Sequence, residues 1–168
     1  MKFVVDCMLG KLAKWLKILG FDVAYFNRAE DGKLLSLARK EGRVLLTRDH
    51  RLRAEAKDVR SLLIGSENWK EQLEQVLDEF QLKREVRPYS RCIQCNSELK
   101  SLSKRAAKNL VAPFVYEQAT VFAICPACGR VFWQGTHFED MDGKIGQILG
   151  RGRASSPVLR KRRPSLSK

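Results

Sequence analysis

At 168 residues, 44% hydrophobic and 30% charged, the chain has the make-up of a soluble globular protein, either one ordinary domain or a small domain plus a module. No uninterrupted apolar run approaches the ~18 residues of a bilayer span, and the apolar stretch before Asp6 is too short for the core of a signal peptide, so a cytoplasmic protein without membrane partners is expected. The formal charge of +13 is uneven, at +4 over residues 1–88, +2 over 89–150 and +7 over 151–168. Such a balance suits a polyanion such as nucleic acid, although a basic solubilising tail on a near-neutral protein accounts for it as well.

The chain opens with a short apolar strand, Phe3-Val4-Val5, that stops at Asp6. Leu9, Leu12, Leu16 and Leu19 then recur at spacings of three and four, the mark of one helix face. Lys11, Lys14 and Lys17 form a basic edge on that helix, and Gly20 ends it. Residues 22–26 read as a second strand. Asp31 is in place to cap a helix over Lys33–Glu41, which Gly42 terminates. Residues 43–47 form a third strand, apolar enough to be buried on both faces, and it runs into Arg48-Asp49. A short charged helix over 51–57, a fourth strand over 61–65 and a helix capped by Asn68, with Glu71 completing a capping box, close the series. Strands alternating with helices at this spacing predict an α/β fold with a mostly parallel sheet flanked by helices.

Pro88 and its charged neighbours mark a linker, so residues 1–85 and 90–145 are expected to be separate domains. The second contains β-like runs at 111–116, 120–124 and 130–133. The segment 151–168 has few apolar residues and is expected to be a disordered basic tail.

Two constellations carry chemistry. Cys92, Cys95, Cys125 and Cys128 form two CxxC knuckles separated by 29 residues, a spacing that fits a structural zinc site in a small β-rich ribbon. Two disulfides or a redox pair are the alternatives, the first disfavoured in the cytoplasm. Cys7 is left over, and packing is its expected role. The second constellation is Asp6, Asp31 and Asp49, each just after a strand or in the turn leading from it. In a parallel sheet those turns share one edge, where sites form. Converging carboxylates repel unless a cation neutralises them, and Mg²⁺ or Mn²⁺ with oxygen ligands suits both the acids and a phosphate substrate. The alternative is that Asp31 is a cap and Asp49 a turn residue. Lys11, Lys14, Arg43, Arg48 and Arg51 border these acids and are candidates for holding phosphates; a solvated helix face is the plainer fate of a lysine run.

The stretches DCMLGKLAKWLKILGFD, GRVLLTRD and SRCIQCN…CPACGRVFWQGTHFEDM resemble the Mut-seven C-terminal RNase domain family, a PIN-like domain fused to a C-terminal zinc ribbon, over residues 1–145. The resemblance implies a PIN-like α/β fold and a metal-dependent ribonuclease acting on RNA, with Asp6, Asp31 and Asp49 as its catalytic acids; an endoribonuclease is the leading expectation. It departs from the PIN pattern in its fourth acid, for which Glu67 is the only candidate. His137 also lies in a matching segment, as an RNA contact or a hydrogen-bonding residue of the ribbon. Trp133 and Phe132 are either ribbon core or platforms for bases. A non-cleaving RNA-binding module and a scaffold for a protein partner are the competing functional readings.

Overall fold

Because each apolar strand is followed by a helix that must return over the sheet, parallel pairing is forced on the first part of the chain. The computed structural model describes residues 1–150, with only the backbone of 136 and 137, and it divides into a unit spanning Met1–Val86 and a second beginning at Arg87. The expected basic tail and the His137 side chain lie outside the described residues. In the first unit, β1 (Lys2–Val5), β2 (Asp22–Tyr25), β3 (Val44–Thr47) and β4 (Ser61–Leu63) form one parallel sheet in the order β2-β1-β3-β4. Helices α1 (Gly10–Ile18), α2 (Asp31–Glu41), α3 (His50–Glu55) and α4 (Trp69–Glu79) flank it.

The core follows the apolar pattern. Phe3, Val4 and Val5 on the central strand are fully buried, as are Leu12, Leu16 and Leu19 below α1. Each such side chain contributes about 1.5–3 kcal/mol by leaving water. Phe3 also meets Phe21 edge to face at 5.9 Å. Val4, Leu34, Leu35, Ala38, Leu45 and Leu52 pack as one cluster, joining β1 and β3 to α2 and α3. Trp15 of α1 stacks on Trp69 of α4, with ring centroids 4.5 Å apart.

Helix ends show where the local reading needs correction. Gly42 does stop α2 in the left-handed conformation, at φ 60°. Asp31, however, is the first residue of α2 rather than its cap; Glu30 holds the cap position and makes no side-chain capping bond. Asn68 caps α4 through the Lys70 N–H, but the reciprocal arm of a capping box is absent. Ser66 intervenes, accepting the Asn68 N–H and donating to Glu71. Lys17 is buried and so drops out of the exposed basic edge.

In the second unit, β5 (Lys100–Leu102), β6 (Phe122–Ile124) and β7 (Val131–Trp133) form an antiparallel sheet in chain order. Helices α5 (Lys104–Ala107) and α6 (Pro113–Gln118) precede β6, and α7 (Thr136–Leu149) follows β7. The run 111–116 is therefore a turn and helix, not a strand. Pro113 sits at the start of α6, where its fixed φ suits a first helical turn. Phe122 packs with Ala107 and Ala119, so the helical insert covers the sheet's apolar side. No helix among the described residues is long and apolar enough to cross a membrane.

Candidate functional site

Parallel register sets the candidate site of the first unit. Val5 lies level with Tyr25 on β2 and with Leu46 on β3, so the residues that follow these strands emerge at one edge of the sheet. Asp6 directly follows β1, Asp31 opens the helix after β2, and Asp49 follows β3 as the cap of α3. The Asp6 N–H donates to the Leu46 carbonyl at 3.0 Å, which extends the ladder one residue past β1. Asp6 is only 5% exposed, and its Oδ2 accepts a hydrogen bond from the Thr47 hydroxyl at 2.8 Å. The same hydroxyl accepts the Asp49 N–H at 2.9 Å. Thr47, fully buried, thereby ties one carboxylate to the backbone of the next.

Asp49 Oδ1 accepts the backbone N–H groups of Arg51 and Leu52 at 2.7 and 3.2 Å. Those bonds, with the nearby charges of Arg51 and His50, hold its carboxyl below the usual aspartate value. The lowered value stabilises the fold above the unfolded value near 3.8, and that contribution is lost as pH falls through the folded value. Asp49→Asn keeps a capping oxygen but no charge. Its thermal stability should therefore fall below wild type at neutral pH and converge with it in acid; parallel curves at all pH values would contradict the assignment.

The oxygens of Asp6, Asp31 and Asp49 do not all lie within 4.8 Å of one another. Arg51 stands at this edge, with its guanidinium 3.7 Å from Asp31 Oδ2. The donor set still fits Mg²⁺ or Mn²⁺, which takes one or two carboxylates and fills its other positions with water and substrate oxygens.

The bordering cations divide. Lys11 and Lys14 are exposed on α1, and Lys11 Nζ lies 5.3 Å above the Trp69 ring. Arg48, next to Asp49, pairs with Glu67 at 2.9 Å, which commits the fourth-acid candidate to an ion pair. Arg43 does not belong with them. It precedes β3 and so lies at the opposite edge of the sheet, where it donates to Asp22, Glu41 and the Phe3 carbonyl. Its side chain is 10% exposed, braced as a structural residue rather than presented to a phosphate.

Thr47 and Tyr25 escape a sequence reading, because a threonine or tyrosine at a strand end carries no signal until its partner, 41 or 18 residues away, is in place. The Tyr25 hydroxyl donates to the Cys7 carbonyl at 3.1 Å and secures the 3-10 turn Cys7–Leu9 that follows Asp6. A Cβ on Gly10 would lie 2.6 Å from that hydroxyl, so glycine is what lets the turn and β2 approach. Cys7 is exposed rather than packed; its hydrogen bond with Asp6, followed by burial of the sulfur, raises its thiol above the usual value.

The second unit carries a separate candidate site, the cysteine cluster. Cys92–Asn96 and Cys125–Gly129 are matching knuckles: the N–H of Asn96 bonds the Cys92 carbonyl, that of Gly129 the Cys125 carbonyl, and both fifth residues are left-handed. All five cysteines of the chain are free thiols. The ligand sulfurs lie within 4.8 Å of one another, with Cys92–Cys128 at 3.7 Å and Cys95–Cys125 at 3.3 Å. Tetrahedral Zn–S bonds of about 2.3 Å require sulfurs about 3.8 Å apart, so the cluster can hold a metal such as zinc. Burial pushes the Cys92 thiol up to about 12, whereas the Ser97 N–H and then the Cys125 thiol draw Cys95 down to about 6. With four protein ligands no position remains for substrate, the mark of a structural site.

No curated protein and no solved structure matches the chain. The family model described as the Mut7-C RNAse domain matches residues 1–145, and the chain belongs to that family.

Proposed function

We propose that the chain is a metal-dependent ribonuclease, with residues 1–85 a PIN-like nuclease domain, residues 90–145 a zinc ribbon and RNA the substrate. The observation that carries this reading is the emergence of Asp6, Asp31 and Asp49 from three adjacent elements at one edge of a parallel sheet, in a member of an RNAse-domain family. These acids would hold Mg²⁺ or Mn²⁺. When bound, such an ion supplies charge that lowers the pKa of a water and stabilises the leaving oxygen of a phosphodiester. Thr47 fixes the Asp6 carboxylate, and the backbone N–H groups at the start of α3 fix that of Asp49, so both are oriented before substrate arrives. Lys11, Lys14, Arg48 and Arg51 supply cations for the RNA backbone, which position the strand without reading its sequence. The ribbon and the basic segment 151–168 add further groups for RNA, among them Trp133, 40% exposed, which offers a face for a base.

The test is cleavage of single-stranded and structured RNAs by the full chain in Mg²⁺, Mn²⁺ or EDTA. Wild type should cleave only with metal, and Asp6→Asn should lose at least about 100-fold in rate, or about 2.7 kcal/mol of transition-state stabilisation, while still binding RNA. Wild type no faster than the variant on every RNA would overturn the nuclease reading. One observation favours a second reading, RNA binding without cleavage: Arg51 already pairs with Asp31, and the acids are not drawn together. That outcome would show as salt-sensitive binding with no metal-dependent product.

A further inference from the structure

A groove of about 530 Å³ opens beside the candidate site on the first unit. Met8, two residues after Asp6, forms one wall; Trp69 of α4 forms another; Lys11 and Arg48 supply two cations, and Glu67 stands at Arg48. Met8 is 61% exposed, an apolar side chain held in water by the 3-10 turn. Trp69 is half-buried and kept in place by its stack on Trp15, with Lys11 over its ring. Soft and aromatic walls accept the face of a base of any identity, and paired cations accept a phosphate. The volume is within the range of pockets that enclose one small ligand.

We propose that this groove is a subsite for one RNA nucleotide flanking the scissile phosphate, with its base against Met8 and Trp69 and its phosphate between Lys11 and Arg48. The placement beside Asp49 and Asp6 makes it a flanking position on the same strand, and in this it rests on the ribonuclease reading. Glu67 then has a definite part. With its side chain 87% exposed, it occupies the Arg48 guanidinium as a phosphate would, and incoming RNA must displace it. A carboxylate that competes for the same cation weakens binding, so its removal should tighten it. A structural or catalytic role for Glu67 predicts the reverse or no change.

The experiment measures binding of a fluorescein-labelled single-stranded RNA hexanucleotide to the full chain in EDTA, where metal-dependent cleavage cannot occur. Arg48→Gln and Lys11→Gln should each weaken binding about 3- to 10-fold and lower the salt slope by about one. Met8→Ala should weaken it a few-fold without changing the slope. Glu67→Gln, at an exposed position that leaves the fold intact, should tighten it about 2- to 10-fold. Lys57→Gln, an exposed lysine outside the groove, is the reference for loss of charge alone. If Arg48→Gln and Lys11→Gln match Lys57→Gln, or if Glu67→Gln binds no tighter than wild type, the subsite is overturned. Metal-dependent cleavage by wild type in a parallel assay would leave the nuclease reading standing in that case. Groove variants behaving as stated beside an inactive wild type would overturn the nuclease reading alone.

Discussion

Cys125→Ser is expected to unfold the second unit, and removal of metal by a strong chelator to do the same. Metal binding by four thiolates contributes roughly 10–16 kcal/mol in small zinc peptides, more than the whole stability of most domains. Beside α7, with Ile145 and Ile148 buried, the unit's other supports are small. Its sheet has three strands of three residues each, and its apolar cluster centres on Phe122, Ala107 and Ala119. Cys92 and Cys125 are fully buried, so each substitution also places a hydroxyl where a sulfur closed the knuckle. The measurement is metal content of protein purified without added zinc, with circular dichroism and limited proteolysis before and after chelation. About one zinc per chain, and proteolysis confined to residues beyond Arg87 after its loss, is the expected result. A full-length chain that stays protease-resistant without metal would contradict it.

Thr47→Val should be the most damaging conservative change in the first unit. The two side chains are nearly the same shape, so packing is preserved and only the hydroxyl is lost. That hydroxyl donates to a buried carboxylate and accepts a backbone N–H. Valine removes both bonds, at about 1–3 kcal/mol each, with the larger cost at the carboxylate. A loss of about 3–5 kcal/mol in chemical denaturation is expected, largely restored by Thr47→Ser. A valine variant as stable as wild type would mean that the hydroxyl's bonds contribute nothing.

What could be read from the sequence depended on how far each residue's partner lies along the chain. Gly42, Asn68 and the two knuckles act within five residues, and their conformations follow from local chemistry. Leu9, Leu12, Leu16 and Leu19 were equally legible, since periodicity alone assigns them to a face. Pro113-Phe114-Val115-Tyr116 misleads because β-branched and aromatic residues favour strands, while the proline favours the first turn of a helix, and here the proline and the packing over Phe122 prevail. The acids could be placed at strand ends, but their spacing, the intrusion of Arg51 beside Asp31 and the hydroxyl bridge at Thr47 depend on contacts made 20 to 41 residues apart. Arg43 adjoins a strand as Arg48 does, yet the start and the end of a parallel strand face opposite ways, and composition does not distinguish them.

The position of β1 at the centre of its sheet bears on how the first unit forms. Its neighbours begin 20 and 42 residues later in the chain, at Asp22 and Val44. As the polypeptide leaves the ribosome, Phe3, Val4 and Val5 emerge before either neighbour and gain cover on both sides only after β3 has been made. Until then this apolar strand keeps at least one open hydrogen-bonding edge, a configuration prone to pairing with another chain. The short connections limit that interval, since every sheet contact closes a loop of a few dozen residues at modest entropic cost. The carboxylate at the end of β1 is therefore a late product of assembly: it can take up its buried position only when Thr47, the last residue of β3, arrives to donate to it.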